Sequence, residues 1–147
     1  MKLFETILIA TDGSEKNRAA LDAGLRIARS CGSHTWVIYV IDTNVSAPVQ
    51  YGTALASPGE PEINVDSDSE ARQITSQIRT LAGDTPITMV IRRGKPAREI
   101  VRFAAEKTAD LIIIGSLGKG GLERVLLGSV SDEVVRTASG NVLVVKG

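Results

Sequence analysis

The residues best suited to chemistry fall in two glycine and hydroxyl clusters in the last third of the chain. Gly115, Ser116, Leu117, Gly118, Lys119, Gly120 and Gly121 follow the apolar run 111–114 without a break, and Gly128, Ser129, Val130 and Ser131 come after the stretch 122–127. Glycines let backbone amides approach a ligand closely. Hydroxyls add donors, and a helix opening at Ser129 would present free amides carrying roughly half a positive charge. That combination suits phosphate. Four glycines within residues 115–121 are more than a tight turn requires. Asp12 stands in the run Ala10, Thr11, Asp12, Gly13, Ser14, just past an apolar stretch at 6–10. A carboxylate there suits a sugar hydroxyl.

Two familiar phosphate loops are excluded by spacing. A Walker A loop reads G-x-x-x-x-G-K-[ST], whereas Lys119 follows Gly118 and is itself followed by Gly120. A dinucleotide fingerprint needs G-x-G-x-x-G after the first strand, where only Gly13 stands. What the residues spell is G-x-x-G, nine residues, then G-[ST]: Gly115 and Gly118, Lys119 to Leu127, then Gly128 and Ser129. No catalytic residue or metal ligand is assigned. The one histidine, His34, falls at the start of a strand, and no pair of acids is placed to hold Mg²⁺ as phosphoryl-transfer enzymes do. The single cysteine, Cys31, reads as a small residue near a helix end.

The elements that must hold these clusters alternate strictly. Short apolar runs at 6–10, 36–41, 87–91, 111–114 and 142–145 read as buried parallel strands. Between them lie segments of helical period. Ser14 is placed to cap a helix reaching about Ser30, with Leu21, Leu25 and Ala28 on one face and Gly32 just past its end. A second runs from Ser67, carrying Ala71, Ile74, Ile78 and Leu81, to Gly83 and Asp84. A third follows Gly94, Lys95 and Pro96 with Ala97, Ile100, Val101 and Ala104, and a fourth opens at Ser129 with Val130, Val134 and Ala138 inward. The order βαβαβαβαβ with right-handed crossovers predicts a single three-layer α/β/α domain over residues 1–147. Residues 42–66, with Pro48, Gly52, Pro58, Gly59 and Pro61, form an irregular loop far longer than the median connection of about 4–6 residues. In such sheets ligands bind beyond the strands' carboxyl ends, where adjacent connections leave in opposite directions.

Composition bounds the function. The chain has 147 residues, 17 basic and 17 acidic side chains, 43% hydrophobic but 3% aromatic content, as expected of one globular domain with a full core. No apolar run approaches the roughly 20 residues of a bilayer span. The start, Met1 to Glu5, does not resemble a secretory signal, so the cytoplasm is expected, without membrane attachment. Residues 1–87 carry 7 basic and 11 acidic side chains, a charge of −4, and residues 88–147 carry 10 and 6, a charge of +4. The dense basic group Arg92, Arg93, Lys95 and Arg98 reads as a solvated loop face. Nucleic acid is not an expected partner: the domain is not basic overall, and its aromatics are only Phe4, Trp36, Tyr39, Tyr51 and Phe103.

The spaced glycine motif, with Asp12 after the first strand, closely resembles the universal stress protein family in its ATP-binding branch. The likeness runs from Ile7 to Asp12, through Val40, Ile41, Asp42 and the Gly94–Pro96 turn, to 110–131 and the final Val142, Leu143, Val144 and Val145. It implies a Rossmann-like five-stranded parallel sheet ordered 3-2-1-4-5 and ATP as ligand, with any Mg²⁺ held by the phosphates. Ala10, Thr11 and Asp12 would hold the adenosine, Val40 would lie near adenine, and Gly115, Ser116, Gly118, Gly128, Ser129, Val130 and Ser131 would receive ribose and phosphates, with Lys119 a further phosphate contact. The family also pairs as homodimers through the last strand. Leu117 and Asn141 depart from its usual residues, a polar side chain and a proline. The implied role is a nucleotide-dependent stress-response or signalling switch. The alternatives are a slow ATPase or self-phosphorylating protein using Ser129 or Ser131, and a receiver-like or non-nucleotide interaction module of the same fold. A receiver needs its acceptor Asp after the third strand, where Arg92 and Arg93 stand, and a helix after the fifth.

Overall fold

The computed structural model describes residues 1–43, 65–116 and 127–147, with the first four residues of the second helix described in backbone alone. Five strands, β1 (Thr6–Thr11), β2 (His34–Asp42), β3 (Thr88–Gly94), β4 (Leu111–Gly115) and β5 (Asn141–Val145), alternate with α1 (Arg18–Cys31), α2 (Val65–Ala82), α3 (Pro96–Glu106) and α4 (Ser129–Thr137). The sheet order is β3-β2-β1-β4-β5, and every neighbouring pair is parallel. Both match the expected architecture. The irregular loop read over 42–66 lies almost wholly outside the described residues, although α2 begins at Val65 rather than Ser67.

Because successive side chains of a strand point to opposite faces, the central strand feeds two cores. Ile7 and Ile9 pack with Leu21, Leu25, Val37, Ile74, Ile78 and Ile113 beneath α1 and α2. Leu8 and Ala10 pack with Ile38, Ile100, Phe103, Ile112, Ile114 and Val134 beneath α3 and α4. Ile7, Leu8 and Ile9 are completely buried. Burying a side chain of this size contributes roughly 1.5–3 kcal/mol, so β1 is the strand whose register the rest of the sheet follows.

Local signals set the ends of the elements. Gly32 adopts the left-handed conformation that closes α1, donating its amide to Ala28 and Arg29 carbonyls. Pro96 occupies the first turn of α3, where a missing amide leaves no bond unmade. The first helix departs from expectation. A short 3-10 turn, Glu15–Asn17, precedes α1, and Ser14 makes no side-chain cap bond. Its hydroxyl is engaged by Asp12 instead, as described below. Strand β2 also starts earlier, at His34, whose amide donates to the Glu5 carbonyl at 2.7 Å and whose ring meets Trp36 edge-on at 5.1 Å.

At the amino end of the sheet, Asp110 Oδ2 accepts the Glu5 and Thr6 amides, both at 2.7 Å. Asn141 donates its side-chain amide to the Asp110 carbonyl at 3.2 Å, so the residue standing where a proline was expected ties β5 to the start of β4. Asp110→Ala removes the acceptor of two amides at the start of the most buried strand. It should lower stability by about 1–2 kcal/mol and the melting temperature by roughly 2–8 °C, read by urea and thermal unfolding; an unchanged melting temperature contradicts this assignment.

Candidate functional site

The crevice is built where β1 and β4 end side by side. The chain leaves β1 for α1 on one face of the sheet and leaves β4 for α4 on the other, which opens a gap beyond the strand ends. Ala10 and Val40 lie on the α3/α4 face, Ala10 buried and Val40 half-buried against that core. Thr11 is paired with Tyr39, so Val40 is one residue past the end of β1 on the adjacent strand. Asp12 has the parity of Ala10. Ala10 and Val40 thus share the α3/α4 face of the sheet, and Asp12 follows directly on the end of the central strand.

Asp12 is held by its own turn. Its Oδ1 accepts the Ser14 amide at 2.9 Å and the Ser14 hydroxyl at 2.6 Å, an Asx turn that fixes the carboxylate beyond the strand end. Thr11 Oγ1 accepts the Gly13 amide at 3.1 Å. Gly13 has φ +76°, and a Cβ there would lie 2.6 Å from Ile74 Cδ1, so glycine is needed both for the backbone and for the approach of α2.

On the opposite wall, one carbonyl closes the corner after β4. Ser116 donates its amide to the Val145 carbonyl at 3.0 Å, and its own carbonyl accepts the Gly128 amide at 2.6 Å and the Ser131 hydroxyl at 3.2 Å. Ser131 Oγ also lies 3.1 Å from the Gly128 carbonyl. The residues on either side of the glycine stretch are thus fastened together. Gly118, Lys119, Leu117, Gly120 and Gly121 lie outside the described residues.

Helix α4 opens at Ser129 as expected, with Gly128 as its N-cap, a residue that offers no side-chain cap. Its first intrahelical bond runs from the Asp132 amide to the Gly128 carbonyl at 2.9 Å. The amides of Ser129, Val130 and Ser131 precede that bond and have no acceptor within the helix. Such a turn fits an anion. The two serines differ in what they offer: Ser129 is exposed, whereas Ser131 is 2% exposed and its hydroxyl is spent on the corner. Any hydroxyl presented to a phosphate here is that of Ser129.

Asn17 was not singled out by sequence. It ends the 3-10 turn, is 7% exposed, and makes no cap bond to α1. Its amide lies against Gly115, where a Cβ would overlap Oδ1 and come within 2.7 Å of Cγ. An asparagine at a helix start ordinarily reads as a cap, and nothing in the local sequence shows that this one reaches across to β4.

Two members of the basic group are paired with acids. Arg92 pairs with Glu106 at 2.7 Å and Glu99 at 3.9 Å and lies over the Phe103 ring, and Lys95 pairs with Glu133 at 3.2 Å. A cavity of about 340 Å³ lies on the other face of the sheet, between α1 and α2, floored by Leu21, Ile74, Ile78 and Leu81. Of the predicted site residues only Thr11 reaches it. Among the described residues there is no group of three or more acidic, histidine or cysteine side chains placed to hold a metal, and no helix long and apolar enough to cross a membrane.

Comparison with known proteins places this arrangement. The family model described as "Universal stress protein family" matches residues 3–146. The universal stress protein MJ0531 of Methanocaldococcus jannaschii is 36% identical over 98% of this chain and 83% of its own length. Among solved structures, the protein MJ0577 is 30% identical with a TM-score of 0.82, covering 99% of this chain and 97% of that one. A universal stress protein solved in complex with cAMP is 24% identical with a TM-score of 0.67, over 97% of each chain, and so shares the fold. With a match from one end to the other, the same strand order and a relative above 30% identity, the chain belongs to the universal stress protein family.

Proposed function

We propose that the protein binds an adenine nucleotide, ATP foremost, in the crevice between β1 and β4, and that the bound nucleotide biases its conformation or its choice of partner in a stress response. The observation that supports this reading is the first turn of α4, whose N-cap Gly128 offers no side chain, fixed by the Ser116 corner to the strand paired with β1, the strand that leads into Asp12. Asp12 would accept a ribose hydroxyl, and Ala10, Thr11 and Val40 would border the base. The amides of Ser129, Val130 and Ser131 would take phosphate oxygens, with Gly115, Ser116 and Gly128 shaping the corner and Gly118 and Lys119 the intervening loop. When bound with the phosphates, Mg²⁺ would supply charge neutralisation. The relative solved with cAMP supports an adenine nucleotide as the ligand class at the level of the fold. Asp12, the carboxylate at the crevice, is read as a ribose contact, and the function as binding rather than efficient turnover.

Nucleotide released on denaturing freshly purified protein should be an adenine nucleotide, and calorimetry should show ATP binding. Asp12→Ala and Gly118→Val should each weaken that binding by about 5- to 150-fold with circular dichroism unchanged. Full-affinity binding in both variants, or no binding in the parent, refutes the site.

The same reading includes a homodimer through β5. Among the described residues this strand pairs only with β4 and exposes Leu143 at 37%, and such a strand edge, reading Asn141, Val142, Leu143, Val144 and Val145, invites pairing with a second copy. Light scattering should give a dimer for the parent and a monomer for Leu143→Glu; a monomeric parent contradicts the interface.

A further inference from the structure

Asn17 is a costly residue where it stands. Among the described residues, its Oδ1 is the one buried side-chain nitrogen or oxygen without a hydrogen-bond partner. An amide oxygen removed from water and left unpaired destabilises the folded state, and a leucine or alanine would avoid that cost. Nor does the side chain serve α1, since it makes no cap bond.

Its one evident structural engagement is with Gly115. That glycine ends β4 and does not have a positive φ, so its backbone does not demand glycine. A Cβ is excluded because Asn17 fills the space. The next residue, Ser116, is the corner whose carbonyl holds both Gly128 and Ser131. Asn17 therefore buttresses, from the α1 side, the corner from which the uncapped turn of α4 is hung. An unpaired acceptor nine-tenths buried, aimed at that corner, is what remains when a polar side chain is retained for a state other than the ligand-free one.

We infer that Asn17 is a positioning residue of the crevice: its carboxamide sets the place of the Gly115–Ser116 corner, and its oxygen gains a donor when an adenine nucleotide draws that corner into its bound arrangement. This rests on the reading of the crevice as a nucleotide site. The donor is a backbone amide or a ribose hydroxyl, because phosphate oxygens are acceptors and would repel the carbonyl. Asn17 thus trades stability of the empty protein for affinity.

The test uses the full chain with ATP and AMP as probes. Asn17→Ala and Asn17→Leu should leave the ligand-free melting temperature unchanged or raised by a few degrees, while weakening nucleotide binding about 5- to 100-fold and shrinking the thermal shift on saturation. In the parent, the Asn17 side-chain amide resonances, assigned by their loss in Asn17→Ala, should move on adding AMP. Gly115→Ala should unfold at lower temperature in the parent and be relieved when combined with Asn17→Ala. Parent-like affinity in both Asn17 variants overturns the inference and leaves the nucleotide site standing. A fall in ligand-free melting temperature in both overturns it too, showing a structural role alone. A parent that binds neither probe overturns the nucleotide reading itself, and the inference with it.

Discussion

Strand β1 is buried on both faces, and the alternation of its side chains decides where every other element can go. Ile7 and Ile9 demand a cover on one side, Leu8 and Ala10 on the other. Helix α1, leaving the end of β1, supplies the first; α4, leaving the end of β4 next door, helps supply the second. A chain that satisfies both requirements from adjacent strands must part at their ends. The crevice is thus a by-product of core packing, and function needs only suitable residues at its lip: Asp12 on one side, Ser116 and the start of α4 on the other.

What turns the gap into a built site is the economy of backbone groups at the second lip. The residues on either side of the glycine-rich stretch are fixed by one acceptor, the Ser116 carbonyl, with Ser131 as a second tie. Ser131 can do this because it is buried one turn into α4, while Ser129, exposed at the first position, keeps its hydroxyl outward. Gly128 in turn leaves the helix end uncapped, since it has no side chain to offer. Serine at the N-cap would have satisfied one of those amides internally, leaving fewer to offer an anion. Identical residue types two positions apart therefore differ in role, Ser131 tying α4 to Ser116 and Ser129 standing exposed.

Much of this was legible in the sequence. The five apolar runs and four periodic segments gave the element order, and the crossover rule gave a parallel sheet, because those signals depend on local spacing. The family likeness added the strand order. The faces of α1, α2 and α3 were read residue by residue through Leu21, Leu25, Ile74, Ile78, Ile100 and Ala104, all of them buried. What local spacing does not carry was misread or unseen. Ser14 looked like a helix cap because hydroxyls before periodic segments usually are, but the competing Asx turn of Asp12 captured it and pushed α1 to start at Arg18. Gly115 read as a glycine for a ligand's sake. Its stricter constraint is Asn17, 98 positions away in sequence, and a contact of that range leaves no periodic trace.

Were phosphate bound as proposed, its attraction would not come from where the charge count suggests. The surplus of +4 in residues 88–147 includes Arg92 and Lys95, yet Arg92 is drawn onto α3 by Glu99, Glu106 and the Phe103 ring, and Lys95 is paired with Glu133. Strand β3, which carries Arg92, is separated from β4 by two strands. Exposed pairs of this kind contribute about 0–1 kcal/mol each and offer little net field at the crevice. On the proposed reading, the described groups that would draw an anion are the first-turn amides of α4, whose partial charges act within one turn of the helix. The same local logic applies to the base. With Trp36 and Phe103 packed edge to face under α3 and capped by Lys107, those rings are not free to stack, and adenine would rest on the aliphatic surface of Ala10 and Val40. Such a surface grips a flat ring by shape and desolvation rather than by stacking, which leaves the discrimination among nucleotides to the ribose and phosphate contacts at the corner that Ser116 holds.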